Sequence, residues 1–187
     1  MLNTDNCPTS DLSPSYYDGI CSVPGSKIVW AEESLNAYAY AYKLGFTTAL
    51  SIESMKRFNY LTRYDLAKLV SLYATKELGK LPDTKLPCTF RDTTKAQKQY
   101  TQLACQLGLM GYMNNGTIAK TFRPNVIVTR EVLGVVLSKL LYGTSTGNYL
   151  QTLKNDGILS NIKPSLKETR GTASLMLLRT KNHAAAK

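Results

Sequence analysis

The chain has 187 residues, 43% of them hydrophobic, enough to bury one domain core with room for arms. No stretch approaches the roughly 18 uninterrupted apolar residues of a membrane span, which excludes a spanning helix. Lysine and arginine outnumber aspartate and glutamate by 23 to 13, a net charge of +10. Anionic partners are therefore favoured: wall polymers, lipid headgroups or nucleic acid. The lysines (Lys76, Lys80, Lys85, Lys95, Lys98, Lys154, Lys163, Lys167) are scattered rather than clustered along a track for a phosphate backbone, so no nucleic-acid partner is expected.

Residues 1–28 are rich in Ser, Pro, Asp, Gly and Tyr without a period and read as an extended arm or linker. The first residues have neither the basic start nor the apolar core of a signal peptide. We expect a fragment of a longer protein. A first helical region starts at Trp30-Ala31, where Trp30 is assigned to packing. Its stripe is Leu35, Tyr38, Ala39 and Tyr42, and Lys43-Leu44-Gly45-Phe46 stops it. Tyr38, Tyr40 and Tyr42 alternate, so they cannot all face one core; at least one should be exposed or packed on a partner.

Leu61-Thr62-Arg63 opens the next helix, with Leu66, Leu69, Val70, Tyr73 and Ala74 on one face. Thr62 and Asp65 have the spacing of a capping box. A proline-bracketed connector, Leu81 to Pro87, leads to Phe90-Arg91-Asp92. A helix from about Lys95 follows, with Tyr100, Leu103, Ala104 and Leu107 as its stripe and Gly108 as its terminator. Leu109-Met110-Gly111 then enters a turn at Asn114-Asn115-Gly116-Thr117. Asn115-Gly116-Thr117 also fits the glycosylation sequon, but the turn is the preferred reading. Phe122-Arg123-Pro124-Asn125 precedes Val128-Thr129-Arg130 and a helix with Leu133, Val136, Leu137, Leu140 and Leu141 inward, ended by Gly143. After the connector at 142–147 come Tyr149, Leu150 and Leu153, then Asn155-Asp156-Gly157-Ile158. Pro164 separates these from Glu168-Thr169-Arg170 and a last helix carrying Ala173, Met176 and Leu177. The tail, 181–187, has no stripe to bury and reads as flexible.

Three times, then, Thr-Arg opens an apolar helical run. A threonine there is an N-cap, because its hydroxyl accepts from orphan amides of the first turn. An arginine in that turn opposes the helix dipole. Its threefold recurrence suggests helix ends meant for an anionic partner. The competing reading is an arginine paired with a carboxylate of a neighbouring unit. The chain is thus a degenerate triple repeat of helix, irregular loop, helix.

Phe90-x-Asp92, Leu107-Gly108-Leu109-Met110-Gly111, Phe122-x-Pro124 and Val128-Thr129-Arg130 together resemble the S-layer homology (SLH) domain. The resemblance runs from about Trp30 to Arg179, with Ile162-x-Pro164 standing in the third copy as Phe122-x-Pro124 does in the second. It implies a mainly α fold: three helix-loop-helix repeats in a pseudo-threefold bundle at 29–180, with repeats at about 31–79, 88–142 and 147–180. It further implies a non-catalytic cell-surface module, extracellular, that binds an anionic and often pyruvylated cell-wall polysaccharide and anchors an exported or S-layer protein. Carried onto this chain, the ligand-binding residues are Arg63, Arg130, Arg170, Thr62, Thr129 and Asp65, with Gly111 letting loop backbone approach the sugar. The family's acidic residue two places after the arginine is matched only by Asp65; Val132 and Thr172 stand there in the other copies, so at least one groove is expected to be inactive. The alternative is a structural subunit of a surface lattice or filament, built by self-association through some of the twelve tyrosines.

Catalysis finds little to work with. His183, in the tail, is the one histidine, and neither a phosphate loop nor a dinucleotide fingerprint is present. No enzyme activity, no cofactor and no metal site is expected. Cys7, Cys21, Cys88 and Cys105 allow three connectivities, with free thiols as the alternative. Local pairing, Cys7–Cys21 and Cys88–Cys105, is the expected one, and it suits an exported chain.

Overall fold

The structure is a computed structural model that describes residues 21–22, 29–30, 32–145 and 147–186. These residues are mainly helical, as expected: six α-helices and one short antiparallel pair of two-residue strands among them. They fall into two compact units, Met1–Asn59 with Thr169–Lys187, and Tyr60–Glu168. No helix is long and apolar enough to cross a membrane.

In the first unit, β1 (Cys21–Ser22) pairs with β2 (Val29–Trp30), placing Cys21 opposite Trp30. The rest of the expected arm, and with it the Cys7–Cys21 pairing and the Trp30 side chain, lies outside the described residues. Helix α1 (Glu32–Leu44) starts after Trp30 rather than at it. Acidic Glu32 and Glu33 in its first turn and Lys43 in its last both suit the helix dipole. α1 packs on α6 (Arg170–Ala185). Tyr38 and Tyr40 are both buried, and only Tyr42 is left half-exposed. The alternation that argued for a partner is absorbed inside the unit: the Tyr38 hydroxyl donates to the Ala49 carbonyl at 2.7 Å, and the Lys181 ammonium sits 4.9 Å from the Tyr40 ring centre.

In place of the expected flexible tail, α6 runs on through Lys181 and His183 to Ala185. The pattern there is not apolar, so no stripe was legible. Amphipathic and polar side chains hold the helix instead, with Lys181 over Tyr40 and, two residues earlier, Arg179 forking onto Glu33 at 2.5 and 2.7 Å.

In the second unit, α2 (Arg63–Lys76) packs on α3 (Lys95–Gln106), and α4 (Arg130–Tyr142) on α5 (Tyr149–Asn155). The capping box of Thr62 and Asp65 forms in both directions. α3 has a second box, Thr94 with Gln97, that the sequence reading passed over. The α3 stripe is also displaced: Thr101, Ala104 and Cys105 are buried, while Tyr100 and Leu103 are only half-buried. Thr101 can take a buried place because its hydroxyl donates to the Gln97 carbonyl one turn back. α4 ends in the left-handed Gly143, at φ 74°.

Cys88 and Cys105 form the expected disulfide, Cα to Cα 5.9 Å. It ties the irregular segment before Phe90 to α3 beside an aromatic core in which Phe90 and Phe122 meet edge to face, ring centres 5.1 Å apart. The expected turn is a small hairpin. Tyr112 bridges Ile118, and the Asn115 carboxamide oxygen accepts from the Thr117 amide and hydroxyl.

Gly111 is set by this core. Its φ is +88°, and a Cβ there would lie 2.6 Å from Phe90 Cζ and 3.4 Å from Cys105 Cβ. Packing thus explains this glycine without a ligand. Gly111→Ala should cost roughly 2–4 kcal/mol, combining left-handed strain with overpacking, as read from urea unfolding.

Candidate functional site

The three Thr-Arg starts share one backbone arrangement. Arg63 and Tyr64, at the head of α2, donate their amides to the carbonyls of Val126 and Pro124 at 2.9 Å each. Arg130 and Glu131 do the same to Leu166 and Pro164, at 2.8 and 3.0 Å. In the first unit, Arg170 and Gly171 donate to Asn59 and Arg57, both at 2.9 Å. Each helix N-terminus therefore has two of its orphan amides satisfied by an irregular loop carrying the residues that precede another Thr-Arg. In the second unit the residues just before the three threonines close a ring. Leu61 N–H donates to Glu168 O, Glu168 N–H to Val128 O, and Val128 N–H to Leu61 O, at 2.8 to 2.9 Å.

The arginine side chains diverge. Arg63 is half-buried; its Nε donates to the Phe122 carbonyl at 2.9 Å, and its guanidinium carbon stands 5.2 Å from the Phe122 ring centre. Its terminal nitrogens have no hydrogen-bond partner among the described residues. Burial and the nearby charge of Arg123 lower its pKa, and Asp92 opposes them. Arg170 makes the same kind of contact in the first unit, Nε to the Met55 carbonyl at 3.3 Å and the guanidinium 4.9 Å from the Phe46 ring.

Arg130 departs from the expectation of a ligand contact. It is 2% exposed, its Nε pairs with Glu168 Oε1 at 2.5 Å, and its Nη1 donates to the Asn161 carbonyl at 3.1 Å. This is the neighbouring-carboxylate reading realised. The threonines are caps: Thr62 and Thr169 accept from the third residue of their helices, and Thr129 makes no side-chain cap bond. Asp65 closes the box by accepting from Thr62 N and Oγ1, at 3.3 and 3.0 Å.

Two features escaped the sequence reading. Arg123 is exposed and held at φ 59°, a left-handed conformation unusual for a non-glycine. Asp92 holds it there, its Oδ1 taking the Phe122 amide at 2.8 Å and its Oδ2 the Arg123 amide at 2.7 Å. Partial burial raises the Asp92 carboxyl, but those two amides, its own amide and the Arg123 charge outweigh it and hold the pKa below the usual range. Because the native pKa is depressed, the clamp stabilises the fold above the unfolded-state pKa and loses that contribution as pH falls through the native one. The Phe122 and Arg123 amide resonances should therefore shift together on acidification, and stay put in Asp92→Asn. The second missed feature is Glu168, an acid directly before Thr169-Arg170, where Leu61 and Val128 stand before the other two Thr-Arg pairs.

The first unit adds a pocket beside the head of α6, lined by Ser34, Tyr38, Ile52, Arg57, Gly171 and Thr172. Gly171 is a close-approach position, since a Cβ would lie 2.9 Å from Arg57 Cβ and 3.0 Å from its carbonyl oxygen. Burial lowers the pKa of Arg57, whose guanidinium stacks 5.1 Å over exposed Phe58. Chemically, these helix heads offer guanidinium groups beside aromatic rings; among the described residues no group of three or more His, Cys, Asp or Glu could hold a metal. Comparison with protein-family models, with curated proteins and with solved structures finds no match.

Proposed function

We propose that this chain is a non-catalytic cell-surface module of the SLH type, which binds an anionic cell-wall polysaccharide and anchors an exported protein. The observation that carries the reading is Arg63. It is a half-buried guanidinium at a helix N-terminus, fixed through Nε alone, with Arg123 adding a second cation beside it. A guanidinium pre-positioned in this way is suited to a bidentate contact with a carboxylate. Arg170, whose Nε donates to the Met55 carbonyl and whose guanidinium lies over Phe46, is the second contact. The recurring amide-to-loop bonds and the closed ring at Leu61, Val128 and Glu168 support the reading as three copies of one unit. With Arg130 engaged internally, fewer than three positions serve.

Sedimentation with purified walls tests the function. The chain should pellet with intact walls and stay in solution with walls stripped of their secondary polysaccharide. Solubility with both preparations at moderate salt would sink the anchor, and concentration-dependent assembly without any wall would move the assignment to a lattice subunit.

A further inference from the structure

The residue before each Thr-Arg is apolar twice, Leu61 and Val128, and acidic once, Glu168, and all three are buried. The backbone ring makes the same demand of each, so the ring does not require a carboxylate at the third place. Taking a charged pair out of water is costly unless the partners match closely. Here they do, with Arg130 Nε 2.5 Å from Glu168 Oε1, both side chains almost wholly buried, and Arg130 Nη1 on the Asn161 carbonyl. We infer that Glu168 is a built-in carboxylate filling the binding position of the second Thr-Arg arginine. On this assignment Arg130 is a carboxylate site satisfied from within the chain, and Arg63 is the position of this unit left for an external acid. The inference rests on the reading of these arginines as carboxylate sites.

Removing the built-in acid should leave a guanidinium-lined cavity able to take a small free carboxylate. The test is thermal unfolding of the full chain carrying Glu168→Ala, in sodium chloride and in sodium formate at equal ionic strength. The expected result is a midpoint well below wild type in chloride, raised by several degrees in formate with saturating concentration dependence. The Arg130→Met/Glu168→Ala variant should show no formate effect. Equal midpoints for Glu168→Ala in the two salts, or the same rise in the double variant, would overturn the assignment. Should Glu168→Ala not fold in chloride, refolding yield from denaturant replaces the midpoint. Recovery in formate alone supports the site, and no recovery in either salt overturns it. Since the readout is stability, a flat formate response would leave the anchor function standing, and failure to bind walls would leave this response to be judged by itself.

Discussion

Arg130→Ala should lower the unfolding free energy by roughly 3–5 kcal/mol, because it removes the guanidinium paired with the Glu168 carboxylate, which is 0% exposed. The loss has two parts. The guanidinium bond to Glu168 disappears, and so does the donor that Asn161 accepts from. The companion double variant separates a stabilising pair from a merely compensated one. Arg130→Met/Glu168→Leu restores at position 168 an apolar residue like Leu61, and should recover most of the loss, since buried pairs replaced by well-packed apolar groups are often neutral or better. Urea unfolding followed by circular dichroism measures all of these. A double variant as unstable as Arg130→Ala would mean that the pair itself holds the ring closed.

The disulfide gives the second large effect. Cys88→Ala/Cys105→Ala should lose about 3 kcal/mol, the loop-closure value for the 17-residue separation it spans. Its position adds packing to the entropic part. Both cysteines are buried, and Cys105 borders the space next to Gly111 and Phe90. Urea midpoints with and without reductant check this. Wild type should fall to the level of the double variant on reduction, and the variant should not respond. Unchanged wild type under full reduction would show that the core alone holds α3.

Most of the helical plan was legible because it rests on short-range chemistry. The Thr62–Asp65 box, the glycine stops at Gly108 and Gly143, and the stripe of α2 all follow from spacing, and the local pairing of Cys88 with Cys105 needed only proximity in sequence. What escaped depends on contacts between segments far apart in the chain. Arg123 is left-handed because Asp92, 31 residues away, holds its amide. The end of α6 is helical because Lys181 lies over Tyr40, which no period along one helix can reveal. The site was half legible for the same reason. Thr-Arg marked the right helix ends, but whether each arginine faces an acid of its own chain was decided by residue 168, outside the motif. At Gly111 the Phe90 ring leaves no room for a Cβ, a packing demand set from 21 residues away.

The central claim concerns Arg63, and calorimetric titration of the chain with isolated wall polysaccharide tests it most directly. Arg63→Ala should weaken binding by roughly 10- to 150-fold, the range for a hydrogen bond to a charged group, while the circular dichroism spectrum stays that of wild type. Unchanged affinity in a folded Arg63→Ala would contradict the account.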